Sequence, residues 1–184
     1  MHYYHIFQSR ETVNNTPNIE NIFYILQRRN VTLENAWRIP YSISTYLLDS
    51  GSWSFKPGDF LDRSLILISP ALSKLIKKYE QEMLTRNFIM IQKKAGIAHH
   101  YVLPIFRELD CLDISQSKFL SNPENNQIKW KAGYKTSLRV FKAKAKIGAF
   151  PVDVIVIDEK VAEEINACNF KYIGMKQIYM HEME

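Results

Sequence analysis

The chain has 184 residues, of which 46% are apolar and 23% charged, and its net charge is +5. This length suits one domain with a substantial core, and the composition is ordinary for a globular protein. No apolar run approaches the roughly 20 residues that span a bilayer, and the N-terminal stretch lacks the apolar core of a signal peptide. We therefore expect a cytoplasmic protein that does not bind membranes. Cys111 and Cys168 lack metal-type or disulfide-framework spacing, which predicts free thiols packed as small hydrophobes.

The positive charge is concentrated in one part of the chain. Residues 125–152 contain seven lysines and arginines and no acidic residue, whereas the remainder of the chain is slightly acidic. Such a distribution favours one localised anionic partner over a uniformly cationic surface.

In chain order, the first predicted element is an aromatic-rich strand at residues 2–7, HYYHIF. Asn18 is placed to cap a short helix. The apolar residues of that helix at helical spacing are Ile19, Ile22, Phe23 and Leu26. Proline and glycine interrupt residues 37–60, which predicts an irregular segment. Its aromatic anchors are Trp37, Trp53, Phe55 and Phe60.

A strand followed by a capped helix is predicted twice. The first unit joins LILI, residues 65–68, to a helix over 70–84 that begins with Ser69 as cap and Pro70 in the first turn. The apolar stripe of this helix consists of Leu72, Leu75, Ile76, Tyr79 and Met83. The second unit joins VIVI, residues 154–157, to a helix over 158–168 capped by Asp158. The apolar stripe of this helix consists of Val161, Ile165 and Cys168. The helix is predicted to end at Asn169 or Gly174.

Further strands are predicted at 88–92, 98–106 and 138–147, and at the C-terminal KQIYM. The strand at 98–106 is expected at an edge or bent, because Pro104 cannot donate a hydrogen bond to a neighbour. Strand and helix periods alternate along the chain, with hairpins between them. The sequence therefore predicts one α+β domain over residues 1–184, with both strand–helix units packed on one mostly antiparallel sheet.

The residue patterns of catalysis and metal binding are absent from the sequence. His99 and His100 are adjacent on a predicted strand and so point to opposite faces, which does not suit chelation of one metal. Cys111 has no local nucleophile signature and is expected to be structural. Asp113 is expected to cap a turn through backbone N–H groups. We therefore predict no catalytic residues, no metal and no cofactor.

The stretch VFKAKAKI places Lys142, Lys144 and Lys146 on one face of a strand. One interpretation is a solvated face whose lysines protect a sheet edge from aggregation. The other is a cationic stripe that binds an acidic protein or, less well given the single nearby arginine, a nucleic acid. Trp130 and Tyr134 are close in sequence and belong to the residue types that anchor protein interfaces.

Three blocks of the chain, within residues 57–180, resemble a family of bacterial immunity proteins from polymorphic-toxin and contact-dependent inhibition systems. PGDFLDRSLILISPALSKLIKKYEQ resembles the family's strand–serine–helix block through Ser69. YVLPIFRELDCLDISQSKF resembles the family's tyrosine-containing strand and the Asp-x-x-x-Ser element that follows it, through Tyr101, Asp113 and Ser117. The third block consists of LRVFKAKAK, VIVIDEKVAEEINACNF and KYIGMKQI. It is similar to the end of the family's pattern, which is a strand led by a phenylalanine, a second apolar strand with its helix, and a final strand that contains a glycine. Phe141 and Gly174 stand at the matching places.

The resemblance implies a protein without enzymatic activity that binds a cognate toxin domain and neutralises it. It implies structural roles for Ser69, Asp113, Ser117 and Gly174, and no catalytic residue. For the interface we expect rim contacts from the three lysines of the stripe and aromatic anchors at Trp130 and Tyr134. The matching toxin surface would then be acidic or mixed. The alternative function is a basic nucleic-acid-binding module.

Overall fold

The computed structural model describes residues 2–9, 18–19, 31–48, 55, 57–62, 65–93, 95–120, 122–147 and 150–179. These residues form one α+β domain with two α-helices and two mostly antiparallel sheets. The predicted fold class is confirmed, but two sheets replace the single sheet that we expected. The strands are β1 (Tyr3–Gln8), β2 (Asn18–Ile19), β3 (Ser42–Leu48), β4 (Phe60–Leu61), β5 (Leu67–Ile68), β6 (Leu84–Gln92), β7 (Ile97–Ile105), β8 (Glu108–Leu109), β9 (Val140–Ile147), β10 (Phe150–Asp158) and β11 (Ile173–Ile178). The helices are α1 (Pro70–Lys77) and α2 (Glu159–Ala167).

The five-stranded sheet has the order β11-β1-β10-β9-β8, in which only β8 and β9 run parallel. The predicted N-terminal strand lies inside this sheet, because β1 pairs with β10 on one side and β11 on the other. The strand predicted at 138–147 is present as Val140–Ile147. Val140–Ile147 pairs with β10, whereas Trp130 makes only an isolated bridge to Leu112.

The six-stranded sheet has the order β2-β3-β6-β7-β5-β4, in which β3 and β6 run parallel. β3 shows that the prediction of an irregular 37–60 segment was wrong, since SISTYLL alternates exposed residues with buried Ile43, Thr45 and Leu47. Of the two alternatives predicted for β7, an edge position or a bend, the edge position is wrong, because β7 lies between β6 and β5. Pro104 is tolerated there because the short β5 meets β7 at Val102, two residues earlier.

Other N-terminal predictions also need correction. Asn18 and Ile19 form β2 rather than the start of a helix, and the rest of that predicted helix lies outside the described residues, as does Trp53. Of the other aromatic residues predicted as anchors, Phe60 is buried and Phe55 partly buried, but Trp37 is exposed.

Both helices begin where the sequence predicts. The Ser69 hydroxyl accepts the Leu72 N–H at 3.2 Å, and the Asp158 carboxylate accepts the Val161 N–H at 2.9 Å. α1 ends at Lys77, earlier than predicted, although Met83 is still buried. α2 ends before Asn169, which adopts a left-handed φ of 51°. Within the described ranges, neither helix has the length and apolar character needed to cross a bilayer.

Three apolar clusters explain why the two strand–helix units repeat. A central cluster joins both helices to one face of each sheet; the other face of each sheet carries a cluster of its own. In VIVI, Ile155 and Ile157 face the central cluster while Val154 and Val156 face away from it. An uninterrupted apolar strand is required because both of its faces are buried. Each unit therefore supplies one sheet with a strand and the shared core with a helix.

Candidate protein-binding surface

The residues that carry the family resemblance hold the backbone in place. The Asp113 carboxylate accepts the Gln116 N–H at 3.2 Å and the Ser115 hydroxyl at 2.6 Å, which is the predicted turn cap. The Ser117 hydroxyl donates to the Asp113 carbonyl at 2.6 Å and accepts the Lys129 N–H at 2.9 Å. These bonds join the turn to the segment that precedes Trp130.

Gly174 is required by close packing between β11 and β1. A Cβ atom built at this position would lie 2.2 Å from the ring of Phe7. Tyr101, a further residue of the matching blocks, donates its hydroxyl to the Gly58 carbonyl at 2.8 Å in a buried hydrogen bond. The residues that carry the resemblance therefore hold turns, strands and neighbouring segments in place.

The candidates for nucleophilic or metal chemistry are separated. Cys111 is fully buried in the cluster behind the five-stranded sheet, and burial raises the pKa of its thiol to about 12. His99 packs edge-on against Phe55 beside the other sheet, with ring centroids 4.7 Å apart. His100 is exposed on the opposite face of β7. The described residues contain no group of three or more His, Cys, Asp or Glu side chains that could hold a metal ion. Cys168 is exposed just beyond α2, so the prediction that it packs within the apolar stripe was wrong.

The lysine stripe on β9 is part of an internal ion-pair network. The Lys142 ammonium lies 2.9 Å from Asp153 and 3.1 Å from Glu108, and its side chain is only 13% exposed. Burial by itself would lower the pKa of Lys142, but pairing with Asp153 and Glu108 raises it. Lys144 lies 3.6 Å from the other oxygen of Glu108 and remains exposed. The side chain of Lys146, the third lysine of the stripe, is not among those that the structure describes.

Two more cations of residues 125–152 are neutralised in the same way. Lys131 pairs with Asp110 at 2.7 Å, and Arg139 pairs with the buried Asp158 at 3.0 Å. The carboxylates come from other parts of the sequence, and the fold brings them beside the basic segment. The concentration of positive charge along the sequence therefore does not become an equally concentrated cationic surface.

The aromatic residues predicted as interface anchors contribute to the core. Trp130 is 2% exposed and stacks on Tyr3 with ring centroids 4.9 Å apart. Its indole N–H donates to the Tyr134 carbonyl at 3.0 Å, and the partly buried Tyr134 ring packs edge-on against it. Trp130 is therefore not exposed to a partner in this conformation.

A different group of side chains has the composition of a protein-binding surface. Trp37 and Tyr41, at 73% and 75%, are the most exposed large hydrophobic residues in the described part of the chain. The Arg38 guanidinium lies 4.9 Å from the Trp37 ring centroid, and the Arg86 guanidinium lies 5.9 Å from that of Tyr41. We call these four residues the Trp37–Tyr41 surface.

Arg86 holds this surface together. Its guanidinium donates to the Ala36 carbonyl at 2.7 Å, the Ile39 carbonyl at 3.1 Å and the Thr85 carbonyl at 3.0 Å. The first two acceptors flank Trp37 and Arg38 on the 3-10 turn Ala36–Arg38, and the third belongs to β6. The turn that presents Trp37 is therefore fixed to the sheet. The sequence stretch AWRIPY contains the right residue types, but only the fold shows that their side chains are exposed.

An open groove of about 450 Å³ lies beside α2. Its lining residues are Tyr4, Glu159, Ala162, Glu163, Asn166, Ile173 and Met175. This lining offers carboxylates and an amide but no thiol, hydroxyl nucleophile of serine or threonine, or imidazole. The groove lining therefore lacks the Ser–His or Cys–His pair of the common hydrolytic triads.

Comparison with known proteins adds no family. No protein-family model matches this chain, and no curated protein matches its sequence. The described residues form an α+β domain of two sheets around a shared core, and the Trp37–Tyr41 surface is exposed on it. The similarity to immunity proteins remains a resemblance in the blocks and residues described above.

Proposed function

We propose that this protein is an immunity protein that binds a cognate bacterial toxin domain and neutralises it by protein–protein contact, without catalysis. The resemblance within residues 57–180 supports this function. Its marks, Ser69, Asp113, Ser117 and Gly174, have the structural roles that a conserved scaffold would require. A scaffold of this kind leaves the contact residues free to differ between toxins.

The observation that carries the proposal is the Trp37–Tyr41 surface. Tryptophan, tyrosine and arginine are the residue types that contribute most to binding energy at protein interfaces. Both rings are largely exposed to solvent, and each lies beside a guanidinium group. Arg86 links the two pairs, because its guanidinium contacts the Tyr41 ring and donates to the backbone of the turn that carries Trp37. Isolated exposed hydrophobic residues are ordinary, whereas exposed rings grouped with arginines are typical of a recognition site.

The mechanism that we infer is stoichiometric blocking. An immunity protein must protect the producing cell at low concentration, so its complex should have a Kd of roughly 1 nM or less, near −12 kcal/mol. The protein needs no reactive group for this task, because covering the active site of the toxin or preventing its closure suffices. Shape and charge complementarity would then set the affinity and the association rate.

If the proposal is right, a gene next to the gene of this protein encodes the toxin, and co-expression with that toxin domain tests the function. Cells that produce the toxin domain alone should stop growing, and cells that also produce this protein should grow. Purified protein and an inactivated toxin domain should form a stable complex in size-exclusion chromatography. Absence of both protection and complex formation would contradict the proposal.

The second candidate is a nucleic-acid-binding module, which the exposed arginine–aromatic composition also fits. The lysine segment argues against it, because Lys131, Arg139 and Lys142 already pair with carboxylates. Titration with a single-stranded oligonucleotide at several salt concentrations separates the two functions. Affinity near 1 µM that falls steeply with salt would favour nucleic acid.

A further inference from the structure

We propose that the Trp37–Tyr41 surface is the toxin-binding face, and that its occupant is an acidic, partly apolar surface of the toxin domain. This inference rests on the proposed function and adds the location and the chemistry of the contact. It replaces the lysine stripe as the predicted interface.

The first argument is the exposed apolar area. Trp37 and Tyr41 present large rings to solvent from a turn and from the residue that precedes β3. Leu84, also exposed, lies two residues before Arg86 on β6 and therefore on the same side of that strand. A partner that covers these side chains removes apolar surface from water, at about 25 cal/mol per Å².

The second argument is rigidity. Backbone hydrogen bonds join Arg38 N–H to Asn35 and Asn87 N–H to the Tyr41 carbonyl, both at 3.0 Å. Together with the three carbonyl contacts of Arg86, they hold the turn and the strand start in one geometry. Binding then orders few additional groups, and less of the interaction energy is lost as conformational entropy.

The third argument is uncompensated charge. Neither Arg38 nor Arg86 forms an ion pair with a carboxylate among the described residues. Arg86 contacts carbonyl oxygens, which satisfy its N–H groups but leave its charge in place. An acidic group on the partner would complement both guanidinium groups, accelerate encounter and gain bidentate hydrogen bonds from Arg38.

A protein occupant fits these features better than a nucleic acid. Affinity for nucleic acid grows with the number of phosphates that cations neutralise, so it needs an extended cationic track. This surface offers two guanidinium groups, and Arg86 already donates to three carbonyls. Lys131, Arg139 and Lys142, which an extended track would use, are paired within the protein.

The test uses the full chain and, as probe, the purified and inactivated toxin domain encoded by the neighbouring gene. Trp37→Ala should raise the Kd about 30-fold, the effect of a hot-spot residue. Arg38→Glu should lower the association rate on the order of tenfold at low salt. Two matched controls change an exposed aromatic residue and an exposed lysine elsewhere: Tyr179→Ala and Lys118→Glu. Both should bind like the wild type.

Each outcome is decisive. If the wild type binds and both surface variants bind equally well, the inference is wrong while the proposed function stands. If the wild type neither binds nor protects, both are wrong. A parallel titration uses a 20-nucleotide oligo(dT) as the nucleic-acid probe (about 20 nucleotides covers one ordinary binding site). Loss of oligo(dT) binding in Trp37→Ala, with toxin binding unchanged, would assign the surface to nucleic acid and overturn the inference.

Discussion

Two regions among the described residues invite comparison, because each carries arginine or lysine beside aromatic residues but the two differ in what surrounds the charges. In residues 130–144, Lys131, Arg139 and Lys142 pair with carboxylates, and Trp130 is in the core. On the Trp37–Tyr41 surface, the guanidinium groups have no carboxylate partner among the described residues, and the rings are exposed. Local composition favours the first region as the interface, whereas the three-dimensional structure favours the second.

The difference shows how a fold redistributes charge. β8 and β10 flank β9 on its two sides and bring Glu108 and Asp153 to Lys142, although the basic segment itself contains no acid. Partly buried pairs of this type contribute to stability when both partners are present, and removing one partner leaves the other uncompensated. The first region should therefore stabilise the fold, whereas the second should contribute little to stability.

The largest effect is expected at Asp158. This carboxylate is 1% exposed, accepts the Val161 N–H at the start of α2 and pairs with Arg139. Asp158→Ala removes both interactions, so we expect the free energy of unfolding to fall by about 3 kcal/mol. Urea denaturation followed by circular dichroism measures the loss.

Asp158→Asn is the matched control, because an amide oxygen can still cap the helix but carries no charge. It should lose less stability than Asp158→Ala, and the difference between them reports the contribution of the cap. Equal stability of Asp158→Ala and the wild type would show that the Arg139–Asp158 pair is not structural and would weaken the comparison.

Charge reversal at Lys142 should have the next largest effect. Lys142→Glu places a third carboxylate against Glu108 and Asp153, which lie within 3.1 Å of the native ammonium. We expect the free energy of unfolding to fall by about 2 kcal/mol. Adding Glu108→Lys should recover part of this loss, and chemical denaturation of the four members of this double-mutant cycle measures the coupling. No coupling would mean that the ammonium does not interact with Glu108 in solution.

The sequence predicted those parts of the fold whose signals are local. Serine or aspartate before an apolar stripe marks the start of each helix, and both caps occur as predicted. The strand at VIVI and the Asp113 turn are also determined by neighbours in the chain. The end of α1 was less predictable, because Tyr79 and Met83 pack against the core without continuing the helix.

The remaining features depend on residues far apart in sequence. β3 is a strand because β6 pairs with it from about forty residues further along the chain. Trp130 is buried because Tyr3, which is far from it in sequence, stacks on its ring. No local pattern distinguishes Trp130 from the exposed Trp37. The candidate surface could not be predicted for the same reason, since side-chain exposure is a property of the whole fold.

A smaller effect is expected from His5, which is a buried group without a counter-charge. Its Nδ1 has no hydrogen-bond partner among the described residues, and burial lowers its pKa from 6.5 to about 4. Below the unfolded-state pKa the unfolded chain takes up a proton that the folded protein excludes, so stability is lost as the pH falls from 6.5 towards 4. We expect His5 to contribute a loss of about 1 kcal/mol between about pH 7 and about pH 5.5. Thermal denaturation of the wild type and of His5→Leu at both pH values isolates this contribution, which should be absent from the variant.

The smallest effect on stability is expected at Trp37, although it is the residue with the largest expected effect on binding. Its ring is 73% exposed and contacts the Arg38 guanidinium, so Trp37→Ala removes little buried area and one exposed cation–π contact. We expect the free energy of unfolding to change by less than about 0.5 kcal/mol. Arg86→Ala is the contrasting variant, because it removes three hydrogen bonds to backbone carbonyls and should destabilise the protein measurably. A large loss of stability in Trp37→Ala would show that the ring packs against the protein in solution, and the difference between the two cationic regions would then disappear.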